Sequence, residues 1–89
     1  MNRAALIELE DELVREIASL VDSAILRLMN VPMELDEALQ VVGDVRARAL
    51  DLMPDRRHVF DLVYMPRFRR VIDTFVRANV RANVRGKPA

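Results

Sequence analysis

From Arg3 to Met29 apolar side chains return at helical spacing in three adjacent rows: Leu6, Leu13, Leu20; Ile7, Val14, Val21, Leu28; and Ile17, Ala24. Glu8, Glu12, Arg15, Glu16, Ser19, Asp22 and Ser23 fall on the opposite side, and Asp11 stands four residues before Arg15, the spacing of an intrahelical ion pair. This pattern predicts a first helix over 3–29 with one broad buried face. Asn30, Val31 and Pro32 end it, because a proline disfavours helix at the residue before it and suits a first turn.

A second helix is expected over 33–53, with Glu34, Asp36 and Glu37 near its positive end. Leu35, Ala38, Val42, Val45, Ala49 and Leu52 follow one another at alternating steps of three and four, a narrow seam that suits close approach of another helix. Gly43 costs this helix about 1 kcal/mol relative to alanine, and reads as the mark of a close crossing. Pro54 closes the helix. Asp55 then stands where an N-cap would start a third helix over 56–65, whose short apolar face is Val59, Phe60, Val63 and Tyr64.

The last helix is expected over 66–85. Its seam, Tyr64, Phe68, Val71, Phe75, Ala78 and Ala82, runs straight through Pro66, and a mid-helix proline costs about 3 kcal/mol. A break or strong kink with Pro66 in the first turn resolves that conflict, or else one long helix bends there. The segment Val76–Arg85 repeats the unit Val-Arg-Ala-Asn. Four residues advance a helix by about 400°, so Val76, Val80 and Val84 form a slanting ridge beside a slanting row of arginines. Gly86 suits the position after the helix end, and 86–89 is expected to fray. No stretch alternates in the manner of a strand. The expectation is an all-α single domain over 1–89, a small bundle of three or four helices.

Composition narrows what such a bundle can do. The chain of 89 residues has no Cys and one His, which removes disulfides, thiolate nucleophiles and the usual zinc sites. Asp55, His58 and Asp61 share one helix face, but no nucleophile or phosphate-cradling loop accompanies them, so no enzyme activity is expected. The acidic runs Glu8–Glu12 and Glu34–Glu37 read as solvated faces and helix starts, and no metal, cofactor or small-molecule substrate is expected. The longest early apolar run, Ala4–Ile7, is too short for a signal core or a membrane span, and a soluble cytoplasmic protein is expected.

The formal net charge of zero conceals a division: residues 1–45 carry −7 and residues 46–89 carry +7. Such a chain can pair its halves internally, pair with a second copy, or offer its basic half to an anion. The candidate contacts to phosphate or to an acidic partner are Arg67, Arg69, Arg70, Arg77, Arg81 and Arg85. Asp73 lies within helical reach of Arg69, Arg70 and Arg77 and is expected to neutralise part of that row. A chain this short hides only about 60–65 % of its unfolded surface, so its apolar seams point to a partner. The interface expected for a homo-oligomer or a larger complex is Leu35, Ala38, Val42, Val45, Ala49, Leu52, Phe68, Phe75, Val76 and Val80. The functional expectation is a helical interaction, regulatory or adaptor module, with nucleic-acid binding by the arginine row as the alternative.

Overall fold

In the computed structural model, which describes residues 3–77, α1 spans Arg3–Asn30 and α2 spans Leu35–Leu52. A 3₁₀ turn at Pro54–Arg56 leads into α3 (Arg57–Val63) and α4 (Met65–Val71), and a π-helical turn at Ile72–Val76 follows. Of the described residues 92 % are helical and none is in a strand, so the all-α expectation holds. Val80, Arg81, Arg85, Gly86, the helix end placed at 85 and the tail 86–89 lie outside the described residues.

The breaks have local causes. At the end of α1, Asn30 Nδ2 donates to the Leu26 carbonyl at 2.7 Å and the Val31 N–H donates to the Arg27 carbonyl at 2.9 Å, so orphan carbonyls of the last turn are satisfied. Helix α2 starts at Leu35, later than 33, because Glu34 holds extended backbone (φ −77°, ψ 161°). Pro54 opens the 3₁₀ turn that precedes α3, and neither that turn nor α3 has a side-chain cap, so Asp55 does not act as the N-cap. At Tyr64 the backbone stays in the helical region (φ −94°, ψ −35°). The Tyr64 N–H donates to the Phe60 carbonyl and the Phe68 N–H to the Tyr64 carbonyl, so α3 and α4 are two arms interrupted just before Pro66.

The core is one cluster: Ile17, Val21, Ala24 and Leu28 from α1; Ala38, Val41, Val42 and Ala49 from α2; and Phe60, Phe68, Ile72 and Val76 from the C-terminal arms. The last four, with half-buried Tyr64, stand at uninterrupted steps of four. On a regular α-helix such a row rotates by about 40° per step. The π turn at Ile72–Val76 closes an i→i+5 bond and has more residues per turn, so its step of four rotates the opposite way and offsets that drift. That turn favours Val76 over Phe75, which is only half-buried; one regular turn earlier Ile72 is buried and Val71 half-buried, so the expected seam through Val71 and Phe75 is displaced to Ile72 and Val76. The ring of Phe60 ties the row together, 5.3 Å from the Tyr64 ring and 6.5 Å from that of Phe68, both tilted.

Gly43 departs from expectation. It is exposed, and a Cβ built there meets nothing within 4 Å, so it marks no close helix crossing. Gly43→Ala is therefore expected to stabilise the protein by about 0.5–1 kcal/mol through the lower backbone entropy of its unfolded chain. A urea midpoint that failed to rise would place a neighbour at that site.

Candidate interaction surface

Helix α1 is longer than anything packed on it. Its 28 residues extend for about 42 Å, whereas the 18 residues of α2 cover about 27 Å. The broad buried face expected over the whole of α1 exists only in its C-terminal half, where Ile17, Val21, Ala24 and Leu28 are buried. The same rows continue in register towards the N-terminus as Leu6, Ile7, Leu13 and Val14, but there α2 has ended. Leu6 is 53 % exposed, Ile7 51 % and Val14 45 %, and Leu13 is half-buried.

The overhang is tied down at its middle. Arg56, in the 3₁₀ turn, forms an ion pair with Glu10, which sits in the centre of the apolar rows. Next to this strap a cleft of about 80 Å³ opens between Val14 and Ile17 of α1, Met53 at the end of α2, and Val59, Phe60 and Tyr64 of α3. It is far below the roughly 300 Å³ at which cofactor and small-molecule sites begin. Its volume and apolar walls suit a single side chain from a partner.

Of the residues expected at an interface, Ala38, Val42, Ala49, Phe68 and Val76 lie in the chain's own core. Leu35, Val45 and Leu52 are half-buried and pack against that core, and Phe75 is half-buried. The narrow seam of α2 is thus covered by α1 and the C-terminal arms. Apolar residues are also exposed at Leu26, Met29, Val31, Leu39, Leu62 and Val63, but Leu6, Ile7 and Val14 on the N-terminal half of α1 differ in continuing the rows of the core past the end of the covering element. Helix lengths carried a hint of this, since an expected 3–29 helix outruns its 33–53 neighbour.

The charged groups divide in the same way. Arg77 Nε lies 2.9 Å from Asp73 Oδ1, whereas Arg69 and Arg70 form no ion pair with Asp73 and are exposed, as is Arg67. The Asp11–Arg15 pair likewise does not form among the described residues. Arg57 stands four residues before Asp61, the spacing of an intrahelical pair, but the partner of Asp61 is Arg46 of α2, whose guanidinium makes a two-pronged contact with the carboxylate at 2.8 and 3.0 Å. A cross-helix pair depends on tertiary register, which chain spacing does not encode.

Hydrogen bonding from Arg46 holds the Asp61 carboxyl below the usual carboxylate range; partial burial opposes it, and the charges of Arg46 and Arg57 add to it. A depressed folded-state pKa stabilises above the unfolded value and is lost as the pH falls through the folded one. Asp61→Asn should therefore melt below wild type at pH 7, with the gap closing below about pH 4. A gap independent of pH would mean that the pair's charge contributes nothing. His58 is exposed and forms no ion pair with Asp55 or Asp61, the two acids that share its face in the sequence. Among the described residues no group of acids or histidines could hold a metal ion, and no helix is long and apolar enough to cross a membrane. Comparison with protein-family models, characterised proteins and solved structures gives no match to this chain.

Proposed function

We propose that this chain is a small helical protein–protein interaction module that self-associates, serving as a regulatory or adaptor unit or as a subunit of a complex. The observation that carries this reading is the apolar overhang of α1: rows that form a core over half the helix continue in register with nothing described to cover them. Single exposed leucines are ordinary on a soluble protein. A stripe that continues a core, next to an apolar cleft, is the kind of surface another helix covers. Light scattering during size-exclusion chromatography at micromolar concentration is expected to give twice the 10.2 kDa chain mass. A well-folded species of single-chain mass would end the self-association reading.

A second reading rests on α4. Arg67, Arg69 and Arg70 are exposed and unpaired by acids among the described residues, which leaves a short basic surface free for phosphate. Nucleic-acid binding by it would be electrostatic and would fall steeply with salt. Fluorescence titration of labelled duplex and single-stranded DNA and RNA tests it, and no binding at about 50 mM salt would remove it.

A further inference from the structure

We propose that the N-terminal half of α1 is covered by the C-terminal segment of a second copy of this chain, and that the contact is reciprocal, so that two copies close into an antiparallel pair. This rests on the self-association reading and names its surface and occupant. The first step is a limit on reach. Arg56 pairs with Glu10, and Phe60 and Tyr64 share a cleft with Val14 and Ile17, so the C-terminal arms run parallel to α1 and away from its N-terminus. Between Phe60 and Val76 the helix climbs about 24 Å, and Leu6 lies at least about 12 Å below Val14. Val76 and Leu6 are thus roughly 35 Å apart along the bundle.

Beyond Arg77 the sequence offers Val80 and Val84 with Arg81, Arg85 and Lys87, and no acid. Even fully stretched, the chain from Arg77 to Val84 spans at most about 25 Å. Val80 therefore cannot meet Leu6 and Ile7 of its own chain, and Val84 could approach them only at full extension. A second copy can bring the two apolar sets together without that extension.

Charge selects between the ways two copies could meet. Residues 3–16 carry Glu8, Glu10, Asp11, Glu12 and Glu16 against Arg3 and Arg15, with Asp11 and Glu16 flanking the apolar stripe. Laying two such halves together would oppose like charges. Laying one against the basic segment of a partner pairs acids with Arg81, Arg85 and Lys87. A two-fold axis satisfies both ends at once and leaves no open contact for further copies. Association should accordingly weaken as salt is raised.

The test is complementation between two full-length double variants, Leu6→Lys/Ile7→Lys and Val80→Glu/Val84→Glu, followed by light scattering and native mass spectrometry. Each alone is expected to raise the dissociation constant by about tenfold or more, because each places two like charges or two charges against apolar surface in both contacts. Their equimolar mixture restores one native contact and creates one Lys–Glu contact, so a species with one copy of each should form. Wild type that pairs while either double variant pairs equally well, or a mixture that stays monomeric, overturns this inference and leaves self-association standing. Monomeric wild type overturns both. If Val80→Glu/Val84→Glu lowers the melting temperature, Arg81→Ser/Arg85→Ser replaces it: weaker pairing with a shallower salt dependence supports the proposal, and unchanged pairing overturns it.

Discussion

Phe68→Ala is expected to destabilise the protein by about 3–5 kcal/mol, the range for deleting a fully buried aromatic ring. Among the described residues Phe68 is the largest side chain with no exposed surface, and it lies midway along the row from Phe60 to Val76 that joins the C-terminal arms to α1 and α2. Total stability of a chain this size is on the order of 0.1 kcal/mol per residue, so the variant should be partly or wholly unfolded at 25 °C. Phe75→Ala is the informative control. A regular helix continuing the seam from Tyr64 would place Phe75 inward with Phe68, whereas the π turn gives that place to Ile72 and Val76 and leaves Phe75 half-buried. Urea unfolding should show Phe75→Ala losing much less than Phe68→Ala. Equal losses would mean that the arm continues as a regular α-helix.

That contrast also shows where reading the residues succeeds and where it stops. Helix existence and order follow from periodicity and from Pro32, Pro54 and Pro66, because these signals act within a few residues of one another. Ends moved by one or two positions where the deciding group was backbone, as at Glu34. The row Phe60, Phe68, Ile72, Val76 was not legible, since its i+4 spacing reads as a rotating stripe unless the π turn is known. Gly43 looked like a crossing because closeness and mere tolerance leave the same residue in the chain. The overhang was half legible: the apolar rows on α1 were plain, but not which part would be covered.

Partner choice among charges was the least legible. Asp61 and Asp73 each had an arginine at i±4, yet Asp61 chose Arg46 across the helix interface and Asp73 took only Arg77. The cross-helix pair offers a guanidinium fork that matches both carboxylate oxygens, a geometry an i,i+4 neighbour seldom reaches. One consequence is that Arg69 and Arg70, expected to be quenched by Asp73, remain open to anions. The surface proposed for α1 does not include those two side chains, so a salt-dependent contact of α4 with nucleic acid is compatible with it.

Val42→Asp should abolish folding at pH 7 and do so for a reason that pH can expose. Val42 is 4 % exposed within the core cluster, surrounded by apolar groups, and among the described residues no buried polar side chain is present to pair with a carboxylate there. An ionised group in that place would cost several kcal/mol, so the folded state would hold the introduced carboxyl protonated, with its pKa raised above the unfolded value near about 4. With a raised folded pKa the unfolded state releases its proton first, so stability falls by about 1.4 kcal/mol per pH unit between the two values. The variant should therefore regain helical signal and a measurable melting transition near pH 4, relative to wild type at the same pH, and lose both at pH 7. Val42→Asn, equally polar but without a titrating proton, should show a defect that does not change over that range. If Val42→Asp melted like wild type at pH 7, Val42 would have to face solvent, and the packing of α2 against α1 and the C-terminal arms would be wrong.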